Sequence, residues 1–185
     1  LFRSVAPFAL QDNGHLMVGM KKISPGAHWM GIAGIACEKN KASVAKTVQV
    51  YTVLAIGLMD GFYCCWDEKY RSNRIRPETA IRKYIDPKWK PFLQTPPFPE
   101  YLSGHSTISA AAAVILTRFF GEDFAYTDTV EERFGLKARK FSSFQQAAEE
   151  AGISRLYGGI HFMDAITNGQ QQGELVGKLV IGKLL

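Results

Sequence analysis

Apolar residues along this chain recur at helical spacing, and no stretch shows the strict alternation of a half-buried strand. After the breaker Ser24-Pro25-Gly26 the pattern predicts a short helix over residues 27–37. Ser43 reads as the N-cap of a long helix to about residue 70, with Ala45, Val48, Leu54 and Leu58 on its apolar side. The most apolar run, 48–66, is broken by Asp60 and two glycines, so it reads as a buried core helix with no transmembrane segment. Pro77 precedes a short helix over 78–84, and the proline-rich segment 86–101 reads as extended and cleft-lining. Ser103-Gly104-His105 opens an alanine-rich helix to about Phe120, closed by Gly121. The polar stretch 122–140 reads as a loop. Ser142 and Ser143, with Gln145 and Gln146 three residues after each, start a helix that ends near Gly152. The last helix spans 161–184, where Gly169, Gly173 and Gly177 form a stripe without side chains; each glycine costs a helix about 1 kcal/mol, so close packing of another helix must offset it. Residues 1–26 read as irregular, with a turn at Asp12-Asn13-Gly14. The fold class is all-α, a helical bundle.

Composition adds little to this. At 185 residues one domain is the default, and 46% apolar with 21% charged residues is ordinary. Cys37, Cys64 and Cys65 do not make a disulfide framework, so the redox compartment stays open. The chain begins at Leu1 without an initiator Met or a signal peptide, as expected of a processed chain or a fragment. Charge is more informative. The net +5 is concentrated in 69–90, where Lys69, Arg71, Arg74, Arg76, Arg82, Lys83, Lys88 and Lys90 face only Glu78 and Asp86. Such a cluster suits nucleic acid, acidic lipid or a phosphate-like ligand, and is most often a solvated face. No recognition-helix or base-stacking pattern supports nucleic acid.

Three separated stretches carry groups suited to one small anion. Lys69 and Arg76 lie seven residues apart, two helical turns. Ser103-Gly104-His105 opens a helix, where free N–H groups and the dipole favour an anion. Arg155 precedes His161, and Asp164 follows it by three; were His161 to open a helix, the two would share a face and the carboxylate could orient the imidazole. Two histidines without cysteine or carboxylate partners make a poor zinc site, and there is no Walker loop. Trp89 and Phe92 read as core or cleft wall, His15 and His28 as packing residues.

Taken in order, Lys69 with Arg76-Pro77, then Ser103-Gly104-His105, then Ser154-Arg155 with His161, resembles the three-part signature of the vanadium-dependent haloperoxidase and type-2 phosphatidic acid phosphatase superfamily. Residues 25–29, 66–70, 95–101 and 157–162 are similar to its soluble bacterial haloperoxidase-like branch. The resemblance covers roughly residue 24 to the end, and implies the C-terminal part of a longer helical architecture. It implies vanadate, or its isostere phosphate, held by Lys69, Arg76, Ser103, the Gly104 amide and Arg155. It makes His161 the vanadium ligand or a phosphoryl-accepting nucleophile, His105 the acid–base residue, and Trp66 and Phe98 the halide side. The sequence departs from the pattern at Leu102, where proline is usual, at Ile75, where many members have tryptophan, and at Ala165, where phosphatases have the aspartate that here is Asp164.

The leading expectation is a haloperoxidase-like enzyme acting on hydrogen peroxide and halide. A phosphatase acting on a phosphoester through the same cradle is the alternative. A basic binding module and a family member without activity are the remaining readings. A homodimer is left open, and an extracytoplasmic location rests on the resemblance alone.

Overall fold

The computed structural model describes residues 24–185. Helices α1 (Pro25–Lys39), α2 (Val44–Ser72), α3 (Pro77–Tyr84), α4 (Gly104–Phe120), α5 (Phe144–Tyr157) and α6 (Met163–Leu184) follow in order, with strands β1 (Tyr126–Asp128) and β2 (Arg139–Phe141) between α4 and α5. Residue 1–23 expectations, including the turn at Asp12-Asn13-Gly14 and the reading of His15, lie outside the described residues.

α4 is the axis of the bundle: α1, α2, α5 and α6 all pack on it. Its alanine run makes this possible, because Ala110, Ala111, Ala112 and Ala113 are buried and let neighbouring helices approach, while Ile115 and Leu116 fill the space below. Burial of such a side chain stabilises by about 1.5–3 kcal/mol. α6 lies against α4 through the glycine stripe. A methyl group on Gly173 would sit 2.1 Å from the Thr107 carbonyl oxygen, and on Gly169 3.0 Å from that of Ser103. The Ser103 amide donates to the Ala165 carbonyl across the same contact (3.0 Å), which ties the opening of α4 to α6.

Three N-caps form as the sequence predicts. Ser43, Ser103 and Ser143 each accept from an amide in the first turn of α2, α4 and α5. Ser142 adds a bond from its own amide to the Gln146 side chain (2.7 Å). Trp29 is buried and donates to Ser109 (2.9 Å), fixing α1 on α4.

Four expectations need correction. Leu54 and Leu58 face the core, but Val48 is 59% exposed and Ala45 is exposed too. At about 100° per residue, Val48 lies roughly 120° and Ala45 about 180° round the helix from Leu54. The outward face of α2 also carries Met59, Phe62, Tyr63 and Tyr70, and the helix is long and apolar enough by composition to cross a bilayer. The stretch read as a loop contains β1 and all but the last residue of its antiparallel partner β2, with Tyr126 opposite Phe141; the strands are three residues each, too short for alternation to register. α5 runs through Gly152 to Tyr157, because at Gly152 α5 packs close to Ser106 and Ile166, so the glycine serves contact and not termination. α6 begins at Met163, so His161 stands in the preceding loop.

Candidate oxyanion site

The C-terminal turns of α2 deliver Trp66 and Lys69 into the interior. The helix then stops at Asn73, whose left-handed backbone (φ 45°) turns the chain and presents Arg74 and Arg76 beside the end it has just left. Arg76 precedes Pro77, the first residue of α3, which holds it extended. Opposite runs the proline-rich segment, whose missing amide hydrogens leave its carbonyls facing inward without a ladder to join.

Those carbonyls receive the buried cations. Lys69 is 0% exposed, and its Nζ donates to the carbonyls of Pro99 (3.0 Å), Glu100 (3.0 Å) and Leu102. Arg76 donates from Nε to Phe98 (2.9 Å) and from Nη2 to Pro99 (3.3 Å). From Nη1 it donates to Ile160 (2.8 Å), and the same nitrogen lies 3.1 Å from His161 Nε2. The Lys69 ammonium sits 5.6 and 5.3 Å from the ring centres of Trp66 and Phe98, which lie 5.2 Å from each other. Phe62 stacks on the outer face of Trp66 at 4.0 Å.

His161 is aimed by its loop. Gly159 adopts a positive φ (74°) and lies so close to Trp89 and Pro91 that a side chain there would strike both. Gly158 lies closer still to Leu93, whose amide bonds the Gly158 carbonyl at 2.9 Å. Leu93 and Ile160 form a small second core with Phe92, locking this loop to the proline-rich segment. The Gly-Gly pair is therefore the hinge that docks His161 against Glu100.

Glu100 organises the electrostatics. Its carboxylate is fully buried, accepts from His161 Nδ1 (2.7 Å) and from the Phe162 amide (3.0 Å), and pairs with Arg74, whose Nε donates at 2.6 Å. These donors hold its carboxyl below the usual range in spite of burial. With Nδ1–H donated to a carboxylate, the neutral imidazole carries its lone pair on Nε2, toward Arg76. Burial, aided by the nearby cations, lowers His161 to about 4, so it is neutral at neutral pH. Burial likewise lowers Lys69 to about 8 and Arg76 to about 10, which leaves both charged at pH 7. Lys69, Arg76 and half-buried Arg74 thus surround one buried carboxylate, and the excess is positive.

Ser103 caps α4, is 0% exposed and accepts from the Ser106 hydroxyl at 2.8 Å. Gly104 meets the Trp66 ring so closely that a Cβ would lie 3.2 Å from it. His105 and Arg155 line a cavity on the side of α4 facing α1 and α5. Burial lowers Arg155 to about 10, and its Nε donates to Ser154 (2.9 Å). A main-chain bond from the Ile160 amide to the Arg155 carbonyl (3.2 Å) ties it to the His161 loop, though no side-chain hydrogen bond joins it to Lys69, Arg76 or His161 among the described residues.

Asp164 takes a different place from the expected one. It opens α6, is half-exposed, and bonds Arg74 Nη1 and Nη2 (2.5 and 3.0 Å). The carboxylate that orients His161 is Glu100, from 61 positions upstream. Spacing along the sequence could not reveal such a partner. The available signal was a glutamate stranded in an apolar, proline-rich segment that must enter the interior.

A profile of the VCPO second helical-bundle domain matches residues 49–185. A crystal structure described as the first bacterial vanadium-dependent iodoperoxidase superposes with a TM-score of 0.88 at 57% identity, over 89% of this chain and 40% of that one. Holo- and apo-type bacterial vanadium-dependent chloroperoxidases share the fold, with TM-scores of 0.70 and 0.68 at 18% and 17% identity, over 86% of this chain and 41% and 44% of theirs. No curated protein matches. The chain belongs to the vanadium haloperoxidase family, within its second helical-bundle domain. It spans well under half the length of the solved relatives.

Proposed function

We propose that this chain builds the vanadate-holding part of a haloperoxidase that oxidises halide, iodide first among them, with hydrogen peroxide. The reading is carried by one observation: His161 is neutral, its Nδ1–H is fixed by Glu100, and its Nε2 lone pair lies among buried cations. That is a ligand prepared for an electron-poor centre inside an anion. The solved relative at 57% identity is described as an iodoperoxidase, which supports iodide as the halide.

The residues fit a tetrahedral oxyanion. His161 Nε2 would hold the central atom. Arg76, Arg155, the Ser103 hydroxyl and the first amides of α4 would hold the oxygens, each charge-assisted contact contributing about 1.5–3 kcal/mol, and Lys69, whose three N–H groups are taken by carbonyls, would add its charge beside them. Vanadate, when bound, supplies a Lewis-acid centre at which peroxide becomes reactive toward halide. Lys69, positively charged below about pH 8, stabilises negative charge on the neighbouring oxygen. His105 exchanges the protons of the reaction through its imidazole. Trp66 and Phe98 close one side with aromatic faces and keep water from the reacting atoms.

The test is to load the chain with orthovanadate and follow triiodide formation from iodide and peroxide. The expected result is turnover that the His161→Ala variant loses. Phosphomonoester hydrolysis inhibited by vanadate, without halide oxidation, would instead assign the same cradle to a phosphatase with His161 as nucleophile.

A further inference from the structure

The basic residues of 69–90 do not share one task. Lys69, Arg74 and Arg76 turn inward, to the carbonyls and to Glu100. Arg71 pairs with Asp67 (3.0 Å) and Arg82 with Glu78 (2.8 Å). Lys83, Lys88 and Lys90 remain. All three are exposed and make no ion pair among the described residues. Asp86, the one carboxylate between them, accepts from the Lys88 amide (2.9 Å).

Two large apolar side chains stand among these lysines. Tyr84 is 70% exposed and Ile85 80%. Main-chain bonds hold them out. The Ile85 and Asp86 amides both donate to the Ile81 carbonyl (2.8 and 2.9 Å), and the Trp89 amide donates to that of Asp86 (3.1 Å). Arg82 Nε donates to the Trp89 carbonyl (2.8 Å), which closes the corner. Trp89 in turn packs on Gly159, where a Cβ would lie 3.0 Å from its ring, so the corner is seated on the loop that carries His161. A single exposed apolar residue is ordinary. Two neighbours on a hydrogen-bonded turn, rimmed by unpaired lysines, form a surface with a definite chemistry.

We propose that residues 83–90 dock this chain on an anionic lipid surface, with Tyr84 and Ile85 entering the head-group layer and Lys83, Lys88 and Lys90 lying against its negative charges. Charge complementarity selects an anionic partner. Ile85 selects lipid over nucleic acid or acidic polysaccharide, neither of which offers an apolar phase to a branched aliphatic side chain. Tyr84 suits the same boundary, its ring in the apolar layer and its hydroxyl in water. Binding is reversible, because three lysines and two shallow side chains hold far less tightly than a spanning helix. Docking leaves the His161 loop one side chain, Trp89, behind the membrane contact.

The full chain is mixed with vesicles of phosphatidylcholine, alone or with about one-quarter phosphatidylserine, and the bound fraction is read by co-sedimentation. Binding is expected to the anionic vesicles only, and at least tenfold weaker when salt rises from about 0.05 to 0.5 M. Lys83→Ala and Lys88→Ala are each expected to weaken it about fivefold. Lys140→Ala and Lys183→Ala, exposed but elsewhere, are expected to change it less than twofold. Ile85→Ser is expected to weaken vesicle binding about fivefold and leave binding to heparin unchanged. Tm should stay constant in all five variants, which alter exposed side chains only. Absence of binding to the anionic vesicles overturns the proposal. So does equal loss from all four lysine substitutions, which would reflect net charge alone. Vesicle binding indifferent to Ile85→Ser also overturns it, and makes the corner a general polyanion contact.

Discussion

Glu100→Gln is the most informative single substitution. It preserves the shape of a side chain that touches His161, Phe162 and Arg74, and removes only its charge and one acceptor oxygen. The amide must then present an N–H group either to the His161 Nδ1–H or to Arg74, setting donor against donor in a fully buried place. Breaking a buried ion pair from one side costs about 3–5 kcal/mol. Arg74 is partly exposed and keeps Asp164, so the lower end, about 3 kcal/mol, applies. In a domain of this size each kcal/mol lowers Tm by roughly 2–4 °C, so a drop of about 6–12 °C is expected. The second effect is on the ligand. Without a carboxylate on Nδ1 the imidazole is free to change tautomer, and loss of such an orienting partner typically costs about 10–100-fold in affinity. Thermal unfolding by circular dichroism measures the first effect, and calorimetric titration with orthovanadate the second. A Glu100→Gln protein with unchanged Tm and unchanged vanadate affinity would refute the role given to this carboxylate.

Other outcomes follow from the same geometry. Asp164→Asn is expected to change vanadate affinity less than twofold in the same titration, because its pair with Arg74 is half-exposed and such pairs are worth about 0–1 kcal/mol. Gly173→Ala should lower Tm by several degrees, since its methyl would meet the Thr107 carbonyl, whereas Gly182→Ala, with open space around it, should leave Tm unchanged or raise it. Between pH 6.5 and about 4 the unfolded chain protonates His161 and the folded chain does not, so the unfolded state binds more protons. Stability should therefore fall as pH drops through that window, by at most about 3 kcal/mol from this group, as urea unfolding at a series of pH values would record. Vanadate binding should weaken as pH rises through about 8, where Lys69 gives up its charge, and Lys69→Met should flatten that limb of the titration.

The sequence is most legible where a local rule and a tertiary contact coincide. The serines at 43, 103 and 143 are both local cap signals and the observed caps. The glycines at 169, 173 and 177 carry a helix penalty that only a close neighbour explains, and that neighbour is α4. Lys69, Arg76 and His161 could be singled out because their residue types share one chemistry. Their meeting point could not be read, because it is made by main-chain carbonyls of 98–102 and 160, which side-chain patterns do not encode. Glu100 stayed hidden for a related reason: its partners come from the end of α2 and the loop before α6, which only the bundle brings together. Asp164 does not orient His161, because nearness in sequence counts for little once a loop, and not a helix, joins them. Apolar character at Ala45 and Val48 does not place them in the core, because their angular position on α2 turns them outward.

Calorimetric titration with orthovanadate, with phosphate as competitor, tests the central claim most directly when wild type is compared with His161→Ala and Arg76→Ala. One site per chain is expected, displaced by phosphate, with each substitution weakening it at least tenfold. Equal affinity in all three proteins, or no saturable site in the wild type, would contradict the convergence of these residues on a single oxyanion.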